Sequence, residues 1–157
     1  MASTPELPSD FADLLAAFAD ADVRYLVIGG YAVGFHDRPR ATKDLDILLD
    51  GDETNIERTC GALVAFGAAP STIEAVRTSS HDDIVWFGAP PVRVDLLKSA
   101  PGIEFDAAFQ RRAEMHVGEL AVPVVSLEDL IAMKTAADRD QDRVDVRRLE
   151  RRRQTSK

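Results

Sequence analysis

Asp44 and Asp46 stand two residues apart in Asp44-Leu45-Asp46-Ile47-Leu48-Leu49, a segment whose other residues are all apolar. Strand side chains alternate faces, so both carboxylates point one way and Leu45, Ile47 and Leu49 the other. Two like charges on a half-buried sheet repel, and desolvating each costs several kcal/mol, on the order of what a whole domain can spare. A cation between them removes that penalty, and oxygen-only ligation suits Mg²⁺ or Mn²⁺. A third aspartate, Asp95, stands between Val94 and Leu96 in the strand segment Val92-Arg93-Val94-Asp95-Leu96-Leu97 and needs a partner for the same reason.

Upstream, Tyr25-Leu26-Val27-Ile28 stops at Gly29-Gly30, and thirteen residues separate Gly30 from Asp44. Adjacent glycines after a strand let a ligand approach the backbone and meet the free amides of a helix N-terminus. Lys134 falls on the same helical face as Leu127, Leu130 and Ile131, which carries it toward the body of the protein. Carboxylates in strands, a glycine bend and an inward lysine together suit phosphoryl or nucleotidyl transfer, where the protein positions reactants and neutralises charge.

The elements that must hold these residues read as a mixed α/β domain. Phe11, Leu14, Leu15 and Phe18 recur at helical spacing behind a capping Ser9 or Asp10. A strand is expected over 23–28, a short helix over 31–35, a strand over 42–49, and a helix over 52–66 stopped by Gly67. Residues 68–82 carry no clear pattern. A hairpin pairs 84–87 with 92–97 across Gly88-Ala89-Pro90-Pro91, and it is the one antiparallel hairpin expected. Short segments follow: a helix over 105–109 and strands over 115–117 and 120–125. Ser126-Leu127-Glu128-Asp129 is a capping-box pattern opening the helix that bears Lys134. A last helix over 139–149 places Asp142, Asp145 and Leu149 on one side.

The 157 residues suit one domain, with 1–8 as a loose leader and 150–157 as a frayed basic tail. A 45% hydrophobic and 29% charged composition is that of a soluble globular protein, and no apolar run reaches the ~18 residues of a membrane span. No basic or apolar leader marks export, and the lone Cys60 excludes an internal disulfide, so a cytoplasmic setting is expected. The net charge of −8 argues against a general nucleic-acid coat. It is unevenly spread: residues 139–157 hold eight basic against four acidic residues, and residues 1–138 hold 11 against 23. The arginines of that tail can hold a phosphate backbone or simply complement a helix dipole.

The string Gly-Gly, thirteen residues, Asp-hydrophobic-Asp-hydrophobic, with a later strand aspartate, resembles the DNA polymerase β-like nucleotidyltransferase superfamily. In detail GGYAVGFHDRPRATKDLDI looks like its small bacterial branch of AbiEii-type toxins. Lys134, Arg139, Asp142 and Asp145 match, in order, that branch's helix lysine and Arg-x-x-Asp-x-x-Asp segment. The resemblance implies a nucleotidyltransferase fold, a mixed sheet flanked by helices, that transfers a nucleoside monophosphate from an NTP with Mg²⁺ or Mn²⁺. It implies that Asp44, Asp46 and Asp95 bind metal and carry catalysis, and that Gly29, Gly30 and Lys134 bind the nucleotide; Lys43, just before the metal strand, is a further nucleotide-binding candidate that can touch a phosphate or remain solvated. Arg40 and Thr42 can touch a phosphate or remain solvated; Asp142 and Asp145 can support the site or pair with neighbouring arginines. The implied partners are the NTP, an acceptor hydroxyl on RNA or protein, and a cognate antitoxin, with no membrane. A small-molecule nucleotidyltransferase of the lincosamide or aminoglycoside kind and a non-catalytic nucleotide-binding or antitoxin-like module are the alternative expectations.

Overall fold

The structure, a computed structural model, describes residues 7–38, 44–89 and 91–155. Its elements run α1 (Ser9–Asp20), β1 (Tyr25–Ile28), α2 (Gly29–His36), β2 (Asp44–Leu49), α3 (Glu53–Phe66), α4 (Pro70–Thr78), β3 (Ile84–Phe87), β4 (Arg93–Leu97), α5 (Phe105–Gln110), β5 (Ala113–Val117), β6 (Leu120–Val124), α6 (Leu127–Ala137) and α7 (Asp140–Thr155). Six strands form one sheet in the order β3-β4-β2-β1-β6-β5. This is the mixed α/β architecture expected, with more antiparallel pairing than the single hairpin foreseen. β1/β2, β3/β4 and β5/β6 are antiparallel, while β1/β6 and β2/β4 are parallel.

The core is built from the apolar stripes of the sequence. Phe11, Leu14, Leu15 and Phe18 of α1 are buried, as are all four residues of β1 and Leu45, Ile47, Leu48 and Leu49 of β2. Burying a side chain of this size contributes about 1.5–3 kcal/mol. α1 packs on α3 and α3 on α4; α6 packs on α7, and α2 touches both. No described helix is long and apolar enough to cross a membrane.

Several local expectations are corrected. α1 is capped by Pro8, whose carbonyl receives the amides of Phe11 and Ala12, and neither Ser9 nor Asp10 caps it with its side chain. The unpatterned stretch 68–82 contains α4, opened by Pro70, whose missing N–H costs nothing in the first turn. α7 runs past residue 149 to Thr155, tied by Arg152 to the carbonyls of His36 and Asp37 and by Arg153 to Glu128. At α6, Ser126 accepts from the Asp129 amide as a capping box requires. The Asp129 carboxylate, however, pairs with Arg111 rather than reaching back along the helix.

Candidate active site

β1 ends at Ile28 and α2 begins at once with Gly29, whose φ of +69° is a left-handed conformation that glycine adopts without strain. Space demands glycine as well: a Cβ at this position would stand 2.1 Å from Oδ2 of Asp46. The Asp46 carboxylate therefore lies directly against the bend. Gly30 follows in the first turn of α2, where backbone amides lack intrahelical acceptors and suit an anion.

Strand pairing gathers the carboxylates. Asp46 is the register partner of Ile28 on β1 and of Asp95 on β4. Cross-strand partners share a face, so Asp46 and Asp95 stand side by side, with Asp44 two residues back on the same face. Burial first, then the charge of Asp95 and a hydrogen bond with it, then the charge of Asp44, push the Asp46 carboxyl up to about 7, against the pull of Lys134. This is the electrostatic mark of acidic groups crowded without a sufficient counter-charge. Arg93, opposite Asp44 in the register, donates from Nε to Oδ1 of Asp95 at 2.9 Å.

A cleft of about 240 Å³ opens here, lined by Ile28, Asp46 and Asp95 from the sheet, by Gly29 at the start of α2, by Leu130, Met133 and Lys134 from α6, and by Arg139 and Asp142. Lys134 is carried inward as its helical face required, with a side chain 12% exposed. Its Nζ lies 3.2 Å from Asp142 Oδ1 and 3.2 Å from Asp145 Oδ2, both carboxylates being almost wholly buried. Burial alone would raise Asp142, but hydrogen bonds from the Arg139 side chain and amide and from Lys134 outweigh it and hold the carboxyl down to about 2. Asp145 also accepts from Gln141 Nε2 at 3.0 Å. Asp142 thus pairs with an arginine, one of the two roles expected for it, and both aspartates anchor the lysine. His36 is structural: its Nε2–H donates to the Val125 carbonyl at 2.7 Å, and burial lowers its pKa.

Asp46 and Asp95 offer hard oxygen donors, a mutual repulsion that a dication relieves, and a side-chain-free wall at Gly29, so they fit Mg²⁺ or Mn²⁺. Among the described residues no three His, Cys, Asp or Glu side chains close into a set that holds an ion unaided. Mg²⁺ completes its shell with water and substrate phosphates rather than with an all-protein cage. Arg40, Thr42 and Lys43 lie outside the described residues. The sequence reading missed Arg93; its place two residues before Asp95 in one strand, and so on the same face, is the signal that marks it.

A protein-family profile described as "Nucleotidyl transferase AbiEii toxin, Type IV TA system" matches residues 13–149. No curated protein matches the chain. Among solved structures, the "Crystal structure of lincosamide antibiotic adenylyltransferase LnuA, lincomycin-bound" is similar, with a TM-score of 0.58 and 15% identity, covering 93% of this chain and 98% of that one. At that identity the likeness is one of fold.

Proposed function

This chain belongs to the AbiEii nucleotidyltransferase toxin family, and from that premise we propose that it moves a nucleoside monophosphate from an NTP to an acceptor hydroxyl of RNA or protein, with Mg²⁺ or Mn²⁺. The observation that carries the reading is the in-register pair of Asp46 and Asp95 beneath the Gly29 bend. In this reading Gly29 and Gly30 present backbone amides to the triphosphate, and Asp44, Asp46 and Asp95 hold the metal. When bound, the metal supplies Lewis-acid neutralisation of the charge that develops on the transferred phosphoryl group. The acceptor oxygen attacks the α-phosphorus while the bond to the β-phosphate's bridging oxygen breaks, pyrophosphate leaves, and the hydroxyl proton passes to Asp95. Lys134, pinned by Asp142 and Asp145, holds a fixed positive charge on the phosphate side, which favours the departing pyrophosphate. A cognate antitoxin is the partner that the type IV family description suggests.

The test is incubation of the protein with each labelled NTP, Mg²⁺ and total RNA or lysate. Label should move to RNA or protein with wild type and not with Asp46→Asn. Absence of transfer from every NTP, or equal transfer by the variant, would refute the reading. A second reading, transfer to a cationic small molecule, is favoured by the acidic body, with 11 basic against 23 acidic residues in 1–138, and by the fold shared with a lincosamide adenylyltransferase. Protection of cells from such drugs distinguishes it.

A further inference from the structure

The exposed large apolar side chains among the described residues are Val64, Ile84 and Trp86, and two of these alternate on β3. β3 is the outer strand of the sheet, paired only with β4. Trp86 is the register partner of Asp95, which is in turn the partner of Asp46. The indole, the two carboxylates and the Gly29 bend therefore stand in one row across the sheet, on one face. Ile84, two residues earlier and on that same face, lines the cleft itself.

Trp86 is 58% exposed, although it carries the largest apolar side chain in the molecule. It is not loose: the guanidinium carbon of Arg93 lies 4.7 Å from its ring centroid, and Arg93 is itself fixed by its bond to Asp95. A ring backed by a cation and otherwise open is the arrangement that base–aromatic and base–guanidinium stacking uses.

In-line displacement fixes which reactant meets this surface. The attacking and leaving oxygens lie on opposite sides of the transferred phosphorus. With the leaving pyrophosphate on the Gly29 and Lys134 side, the attacking hydroxyl enters over Asp95, from the β4–β3 side. One strand spacing, about 4.8 Å, then separates the carboxylate from the indole. A nucleoside spans that interval, its hydroxyl over Asp95 and its base over Trp86.

We propose that Trp86, backed by Arg93, is the stacking platform for the base of the nucleotide whose ribose carries the acceptor hydroxyl of a single-stranded RNA. The proposal rests on the nucleotidyl-transfer reading above and selects RNA over protein as acceptor. Trp86 is the only tryptophan in the chain, so its emission reports on the platform directly. In the catalytically disabled Asp46→Asn protein, titration with a short single-stranded oligoribonucleotide should quench that emission saturably. The same oligonucleotide with an abasic 3′-terminal residue should not. In the active protein, Trp86→Ala should raise KM for the oligonucleotide about tenfold, with KM for NTP unchanged and Trp86→Phe recovering most of the loss. Equal quenching by the abasic strand, quenching by NTP alone, or a KM for RNA indifferent to Trp86→Ala would overturn the platform. Label transfer to RNA without base-dependent quenching removes the platform and leaves the function standing. Base-dependent quenching without transfer of label from any NTP removes the function and leaves the platform.

Discussion

Two acidic clusters border the same cleft and differ in how much positive charge the described residues bring to them. Asp142 and Asp145 are more deeply buried than Asp46, yet Lys134, with Arg139 on Asp142, meets them, and Asp142 is held down to about 2. Asp46 and Asp95 share a weaker supply: Arg93 bonds Asp95, Lys134 acts on Asp46 from a distance, and Asp46 is pushed up to about 7. Burial alone does not tell a structural carboxylate from a ligand-binding one; the local charge balance does. Among the described residues the first cluster is matched by its cations, and the second is short of positive charge.

The largest effect should follow from neutralising the incomplete cluster. Asp46→Asn should reduce transfer about a thousandfold or more, since the metal supplies several kcal/mol of transition-state stabilisation. The same change should stabilise the metal-free protein at pH 8, which thermal unfolding checks. The folded pKa of Asp46 lies above its unfolded value of 3.8, so the stability that its proton provides is present below that value and lost as pH rises toward about 7. Wild type should therefore lose stability over that interval, and Asp46→Asn should show a flatter profile.

Breaking the other cluster should lower stability instead of raising it. Lys134→Met leaves buried Asp142 and Asp145 without their shared lysine and should cost about 3–5 kcal/mol in denaturant unfolding. A neutral result would mean that the lysine is no structural partner.

Gly29→Ala should cost about 1–2 kcal/mol from the left-handed backbone, and lower activity by more than that figure converts to, because its methyl displaces the Asp46 carboxylate. Gly67→Ala is the control and the smallest effect. Its φ is +94°, but nothing lies within 4 Å of a Cβ there, so about 1 kcal/mol of stability should go with activity intact.

Much of the candidate site was legible because charge inside an apolar strand is costly enough to need a reason; Asp44, Asp46 and Asp95 were marked as candidates that way. Lys134 was legible from helical spacing, and its partners from their match to a family segment. What sequence did not show was non-local. The parallel pairing of β2 with β4 is what makes Asp46 and Asp95 neighbours, and no local pattern encodes it. The contact between Gly29 and Asp46 depends on another non-local pairing, the antiparallel register of β1 with β2. Ile84-Val85-Trp86-Phe87 reads as uniformly apolar, and only its place at the sheet edge leaves Ile84 and Trp86 open. α4 was hidden because it is short and buries a single residue, Val76.

The central claim is that Asp46 and Asp95 await a dication that arrives with nucleotide. Calorimetric titration of Mg²⁺ into the protein with a non-hydrolysable NTP, at pH 7 in two buffers of different ionisation enthalpy, tests it most directly. Binding should be saturable, should require the nucleotide for full affinity, should release a fraction of a proton as Asp46 ionises, and should vanish in Asp46→Asn. Binding of equal strength in Asp46→Asn, or nucleotide binding indifferent to Mg²⁺, would contradict it.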